Sequence, residues 1–325
     1  MKEMIRKNIA VAGCGYWGKN LVRNFAELGA LHTVCDSSRE TLEQLVITYP
    51  SVKGETDFSK VLSNDEIEGV VIATPAAQHY IMATEALLAG KDVFIEKPFT
   101  SSTAEAEELL RISEKQNRVL LVGHLLLYHP ALQTLKKYVD SGELGDIYYV
   151  YSTRVNLGQI RRDENALWRL VPHDISMFAY LLGGTPQVLS AGGASYLQRG
   201  FIDVVFVTLK FNNALAHVHA SWLDPHKIRQ LTVVGSKRMA VFDDMEPEYK
   251  LQIYDKAVAG DTLSIKSGQA VFPQCALTEP LLLECRDFIH SIAERKKPLA
   301  DARMGLTVVK ALEMAENLMS NGSKC

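Results

Sequence analysis

Several groups of residues in this chain have the types and spacing to do chemistry. Gly13-Cys14-Gly15-Tyr16-Trp17-Gly18 follows a short apolar run and precedes the helical stretch Lys19 to Leu28. A Gly-x-Gly-x-x-Gly turn in that setting suits a dinucleotide. Gly13 permits the tight turn, Gly15 lets the backbone approach a pyrophosphate, Gly18 allows close helix-strand packing, and the helix N-terminus presents free N–H donors. Asp36 ends the second apolar run, 18 residues after Gly18. A carboxylate there accepts hydrogen bonds from both ribose hydroxyls and repels a 2′-phosphate, which favours NAD; Ser37 flanks it, and Arg39 is the residue that would instead accommodate that phosphate.

Two further groups, Thr74-Pro75 with His79 and Glu96-Lys97-Pro98, fall at the ends of the predicted core segments Val70–Ala73 and Asp92–Ile95. Carboxyl ends of parallel strands are where open α/β sheets bind ligands. A lysine directly after a buried strand is a poor choice for packing, and a partly desolvated amine there suits proton movement; the plain alternative is a surface cation at a strand end. The segment Arg154, Asn156, Gln159, Arg162, Asn165, Trp168 is rich in guanidinium forks, amides and one indole. Arginines read diphosphates by charge-assisted hydrogen bonds, and Asn and Gln read sugar hydroxyls; otherwise the loop is merely solvated, with Trp168 plugging the core.

These residues need elements to hold them. The chain has 325 residues, 47% hydrophobic and 22% charged, enough for two globular units at about 150 residues each. With 35 Lys+Arg against 38 Asp+Glu, no basic excess points to nucleic acid, and no apolar run approaches the roughly 20 residues that span a bilayer. The expectation is a soluble, cytoplasmic protein. The five cysteines, at 14, 35, 275, 285 and 325, contain no Cys-x-x-Cys pair and are odd in number, so they read as free thiols, with Cys14 and Cys35 as small buried hydrophobes.

From Ile9 to Gly123, strands at Ile9–Ala12, Leu31–Cys35, Val70–Ala73, Asp92–Ile95 and Val119–Val122 alternate with helical patterns. One helical pattern, Ala76 to Ala89, stops at Gly90, and another opens at a Ser102/Glu105 capping box. This alternation predicts βαβ units and a parallel sheet. After Gly123, strands near 147–154, 188–196, 203–211, 215–221, 230–234 and 239–242 follow one another with few helices between them. That pattern predicts a mostly antiparallel sheet. Helices are expected over Pro172 to Leu182, Glu279 to Arg295 and Arg303 to Ser320. The class is therefore α/β, with domains at 1–123 and 124–325 packed directly on one another across a cleft.

Gly13-x-Gly15-x-x-Gly18, Ala73-Thr74-Pro75 with His79, and Glu96-Lys97-Pro98 together resemble the glucose-fructose oxidoreductase, inositol dehydrogenase and MocA family (Gfo/Idh/MocA), as do Ser221-Trp-Leu-Asp-Pro and Val234-Gly-Ser. The resemblance implies an N-terminal Rossmann domain, a C-terminal α+β domain on a large, mostly antiparallel sheet, and a cis Lys97-Pro98 peptide. It implies Lys97 acting at the nicotinamide end of the site and His173 as its catalytic partner. The acid usual four residues before that histidine is absent, its place taken by Arg169. Pro172 is expected in the first turn of the helix that presents His173. His124 and Tyr128 follow the last Rossmann strand, where related enzymes place substrate contacts. His129, before Pro130, reads as a helix cap. His217 and His219 share a strand face without a third ligand, so no metal is assigned.

Within the family, the segment Arg154 to Trp168 with His173-Asp-Ile-Ser and the later Leu-Leu-Gly looks most like UDP-N-acetylglucosamine 3-dehydrogenases of the GnnA type. That group makes a 3-keto amino sugar for later transamination. The resemblance implies NAD-dependent oxidation of a nucleotide-sugar hydroxyl and a homo-oligomer, dimer or tetramer, through the C-terminal sheet. Dehydrogenation of a free polyol or sugar, or reduction of a nucleotide-linked 3-keto sugar, is the nearest alternative. A nucleotide sensor without turnover is the alternative from another class.

Overall fold

The computed structural model describes residues 8–158, 164–259 and 263–322. The chain divides into two compact units: Met1–Leu125 with Glu279–Val309, and Leu126–Thr278 with Lys310–Cys325. The first crossing lies two residues beyond the expected boundary at Gly123. The segment from Glu279 to Val309, which the sequence reading gave to the second domain, belongs to the first.

In the first unit, β1 (Ile9–Ala12), α1 (Gly18–Glu27), β2 (Leu31–Cys35), α2 (Arg39–Thr48), β3 (Lys53–Glu55), α3 (Phe58–Leu62), β4 (Gly69–Ile72), α4 (His79–Leu88), β5 (Asp92–Ile95), α5 (Thr103–Lys115) and β6 (Leu120–Val122) alternate along the chain. The strands form one sheet in the order β3-β2-β1-β4-β5-β6, every pair parallel. This is the doubly wound order whose reversal lies between β1 and β4. The predicted strands hold to within a residue. β1, β4 and β5 are buried along their whole length, which is why their sequences run as unbroken apolar stretches. The capping box is present too: Ser102 Oγ accepts from Glu105 N at 3.3 Å, and Glu105 Oε2 reaches back to Ser101 N at 3.0 Å.

The second unit contains α6 (Pro130–Asp140), β7 (Ile147–Val155), α7 (Ala166–Leu182), β8 (Gln187–Ala194), β9 (Val204–Phe211), β10 (Ala214–Ser221), β11 (Ile228–Gly235), β12 (Met239–Asp243), β13 (Leu251–Ala259) and β14 (Ser264–Val271). Its eight strands run in the order β14-β13-β12-β11-β7-β10-β9-β8, antiparallel except for the β7–β10 pair. β9 and β10 alternate buried and exposed residues. One face is covered by α7, and the other carries Tyr149, Tyr151, Phe206 and Leu215 exposed.

α7 begins at Ala166, so Pro172 sits inside the helix and not in its first turn. The true cap is Asn165, whose Oδ1 accepts from Trp168 N at 3.0 Å. A capping amide outweighed the proline signal, because the helix tolerates one missing N–H once both its faces are packed. α8 (Pro280–Glu294) lies wholly in the first unit, and α9 (Ala302–Gly322) starts there. Phe288 of α8 meets Phe25 of α1 and Phe94 of β5 edge-on, with centroids 6.4 and 5.7 Å apart. Gly69 is the residue that admits α8: a Cβ there would fall 2.8 Å from Ile292 and 3.0 Å from Phe288.

Candidate active site

The turn after β1 is shaped by what its glycines exclude. Gly13 adopts φ +85°, and a Cβ there would fall 2.6 Å from Thr74 N. A Cβ on Gly18 would sit 1.8 Å from Gly13 O, so α1 starts in direct contact with the turn it follows. Gly15 faces open space, with nothing within 4 Å of its Cβ position. This leaves one bare stretch of backbone beside a helix N-terminus, the cradle a pyrophosphate needs. Asp36 closes the other side. Its Oδ2 accepts from Cys14 N at 2.7 Å and its Oδ1 from Ser38 N at 2.9 Å, so the carboxylate ties the turn to the end of β2. Ser37, Arg39 and Tyr16 are exposed around it. These residues fit NAD: the cradle would hold the diphosphate, and the acid would meet a ribose.

A second cluster gathers where β4, β5 and β6 end. Lys97-Pro98 is cis, as the resemblance implied. Lys97 is half-buried, while Glu96 before it is buried. Glu96 Oε1 accepts from Trp17 Nε1 at 2.5 Å and Oε2 from Lys97 N at 3.2 Å. The indole of the glycine turn is thereby tied to the strand end that carries the lysine. Gly123 makes room for this carboxylate, since a Cβ there would meet Glu96 Oε2 at 2.7 Å. Burial raises the Glu96 pKa to about 7, against the opposing pull of the Trp17 hydrogen bond and the Lys97 charge.

His79 opens α4 and is buried, with Nδ1 2.8 Å from Pro98 O and Nε2 2.9 Å from Thr74 O. Both of these partners are backbone carbonyl oxygens. The residue joins the Thr74-Pro75 and Lys97-Pro98 segments internally. His124, after β6, is 1% exposed and neither ring nitrogen has a hydrogen-bond partner among the described residues. Burial, reinforced by the positive charge of Lys97, drives its pKa down to about 3, so at neutral pH it is a neutral imidazole beside the lysine.

In the second unit, His173 lies on α7 between Pro172 and Asp174, both buried, and is itself half-buried. Arg154, expected to read a diphosphate, is buried at the end of β7. Its Nε donates to Asp174 Oδ2 at 2.9 Å and its Nη2 to Asp174 Oδ1 at 3.1 Å. The fork is therefore occupied by a carboxylate of this chain. Trp168 Nε1 donates to Glu316 Oε1 at 3.1 Å, and Asn165 is the α7 cap. Asn156 N donates to Ser221 O at 3.1 Å, and Tyr128 is buried. Arg169, where the family's acid usually stands, pairs with Glu164 at 2.9 Å. Gln159 and Arg162 lie outside the described residues. His129 caps α6, accepting from Ala131 N at 3.1 Å, and Phe206 stacks on His219 at 4.6 Å.

Residues 7–124 match the oxidoreductase family with an NAD-binding Rossmann fold, and residues 132–241 match the GFO/IDH/MocA C-terminal domain. The chain belongs to the Gfo/Idh/MocA family. It is an NAD-binding oxidoreductase. Over 95% of its length it is 27% identical to the UDP-N-acetylglucosamine 3-dehydrogenase of Acidithiobacillus ferrooxidans, covering 96% of that protein. The solved structure of that enzyme superposes with a TM-score of 0.85 at 25% identity, over 98% of this chain and 99% of that one. The scyllo-inositol 2-dehydrogenase (NAD(+)) of Bacillus subtilis is 28% identical over 99% of this chain and 96% of its own. A solved oxidoreductase from Magnetospirillum magnetotacticum is 30% identical, covering 95% of this chain and 99% of that one, with a TM-score of 0.82.

Two residues in these clusters escaped the sequence reading. Asp174 holds Arg154, 20 positions away. Glu284 is fully buried on α8, and neither carboxyl oxygen has a hydrogen-bond partner among the described residues. A signal for Glu284 was present: it falls on the stripe Leu281, Cys285, Phe288, Ile292, where a charged residue is out of place on a buried helix face.

Proposed function

We propose that this oxidoreductase oxidises the C3 hydroxyl of a UDP-linked amino sugar, with UDP-N-acetylglucosamine going to the 3-keto sugar. The observation that carries the reading is the end-to-end similarity to the UDP-N-acetylglucosamine 3-dehydrogenase of Acidithiobacillus ferrooxidans. Bound NAD supplies the hydride acceptor. His173 takes the hydroxyl proton as the C–H bond breaks, and the Lys97 ammonium stabilises the negative charge that develops on that oxygen, where a cation gains most. His124, neutral and with two unsatisfied nitrogens, offers a donor and an acceptor to the sugar. With Arg154 held by Asp174, the diphosphate falls to Arg162, and the sugar hydroxyls to Asn156 and Gln159.

The second reading is a dehydrogenase of a free cyclic polyol, favoured by the equally long similarity to the scyllo-inositol 2-dehydrogenase. Both readings put the acid–base chemistry on Lys97 and His173. Lys97→Met and His173→Ala should each lower kcat by about 100-fold or more, the range of a positioned proton-transfer group, with NAD affinity retained. Two variants that keep most of their turnover would remove both residues from the chemistry.

A further inference from the structure

His173 sits at a turn of α7 whose residues are poor choices for a helix. Pro172, buried inside the helix, has no N–H to donate to the carbonyl of Trp168 one turn earlier, and its ring crowds that oxygen. Asp174 follows His173 and is buried; Ser176, also buried, turns its hydroxyl back and donates to His173 O at 2.9 Å. Asp and Ser are weaker helix formers than Ala, and a hydroxyl that bonds back along its own helix loosens and bends it. Pro172, Asp174 and Ser176 thus each work against a regular helix within little more than one turn, and His173 lies among them. Where local rules are broken together on a buried element, the break serves something other than stability.

The two halves of α7 are anchored separately. The first is held by the Asn165 cap and by the Trp168 indole, which donates to Glu316 Oε1 of α9 at 3.1 Å. The second is held through Asp174, which Arg154 at the end of β7 grips at 2.9 and 3.1 Å. An unbroken helix would impose one axis on both anchors, whereas a ladder cut at a proline lets each half meet its own. We propose that Pro172 and Ser176 are positioning residues for His173: the interrupted ladder sets the direction in which the imidazole leaves the helix, and the two anchors hold it there. Restoring the ladder lets the halves align and turns His173 away from that direction. The inference rests on His173 acting as the base in the proposed function.

The test compares Pro172→Ala, Ser176→Ala and His173→Ala with wild type in the full-length protein. It reads kcat and KM from NAD reduction with UDP-N-acetylglucosamine and with myo-inositol, the NAD Kd by calorimetry, and the melting temperature. Alanine is the best helix former and returns an N–H to Trp168 O, so Pro172→Ala should melt no lower than wild type. Its kcat should nevertheless fall by about tenfold or more, since misplacing a reacting group by about 1 Å costs on the order of 100-fold. KM and the NAD Kd should stay within about twofold, the pattern of an interaction made only in the transition state. Ser176→Ala should move kcat the same way by about threefold, because it removes one bend and leaves the proline. A role in packing alone lowers stability and activity together, whereas a positioning role separates them. A Pro172→Ala kcat within about twofold of wild type beside an inactive His173→Ala overturns the proposal and leaves His173 as the base. A kcat loss in Pro172→Ala accompanied by a lower melting temperature overturns it as well, because Pro172 would then be a packing residue. Full turnover in His173→Ala removes the base itself and the proposal with it.

Discussion

Arg154 on β7 grips Asp174 on α7 with two hydrogen bonds, of 2.9 and 3.1 Å, and Asp174 directly follows His173. The pair pins α7 to the sheet at the turn where Pro172 removes a helix N–H. Removing one partner strands the other charge in the core, which costs about 3–5 kcal/mol, whereas replacing both with apolar residues is close to neutral. Asp174→Asn should therefore lower the unfolding free energy by about 3 kcal/mol, and Arg154→Met with Asp174→Leu should restore most of it. Urea unfolding measures both. A single variant that costs under about 0.5 kcal/mol, the scale of ordinary surface substitutions, would show that the pair does not anchor the helix.

The glycine turn makes a prediction in which stability and binding separate. Gly15 has nothing within 4 Å of its Cβ position, whereas Gly18 would drive a Cβ to 1.8 Å from Gly13 O. Gly15→Ala should leave the melting temperature nearly unchanged and weaken NAD by at least about tenfold, because the added methyl stands where the pyrophosphate meets the backbone. Gly18→Ala should lose stability as well as affinity, since backbone cannot yield to a side chain. Equal NAD affinity in wild type and Gly15→Ala would mean that the pyrophosphate lies elsewhere.

The buried titrating groups give opposite slopes of stability with pH. His124 is pushed from 6.5 down to about 3, so the unfolded chain binds its proton first, and stability present above about 6.5 is lost as pH falls toward 3. Glu96 is raised from 4.5 to about 7, so the native state keeps a proton that the unfolded chain releases, and stability declines as pH rises from 4.5 through about 7. In chemical unfolding across this range, His124→Leu should flatten the acid arm relative to wild type, and Glu96→Gln the arm between 4.5 and 7. Slopes identical to wild type in both variants would contradict the assignment.

How far the sequence carried these conclusions depends on how local each signal is. The turn at Gly13 to Gly18, Asp36 at the end of β2 and Lys97 at the end of β5 were legible because each motif directly follows a strand whose residues are all or nearly all buried. β14 was missed because seven of its eight residues are exposed, leaving no alternation to read. Arg154 looked like a ligand fork because its partner Asp174 lies across a strand-to-helix packing that local patterns do not encode. Glu284 carried a local signal, a charged residue on a buried helix stripe, but its surroundings were not legible: α8 was assigned to the second domain by chain order, yet it packs in the first unit.

The most direct test of the proposed function is to mix the purified protein with NAD and UDP-N-acetylglucosamine, with N-acetylglucosamine and myo-inositol in parallel, and to follow nicotinamide reduction by absorbance. The account predicts reduction with the UDP-sugar and none, or far less, with the two free compounds. Reduction with myo-inositol and silence with the UDP-sugar would contradict the proposed substrate and leave the polyol reading in its place.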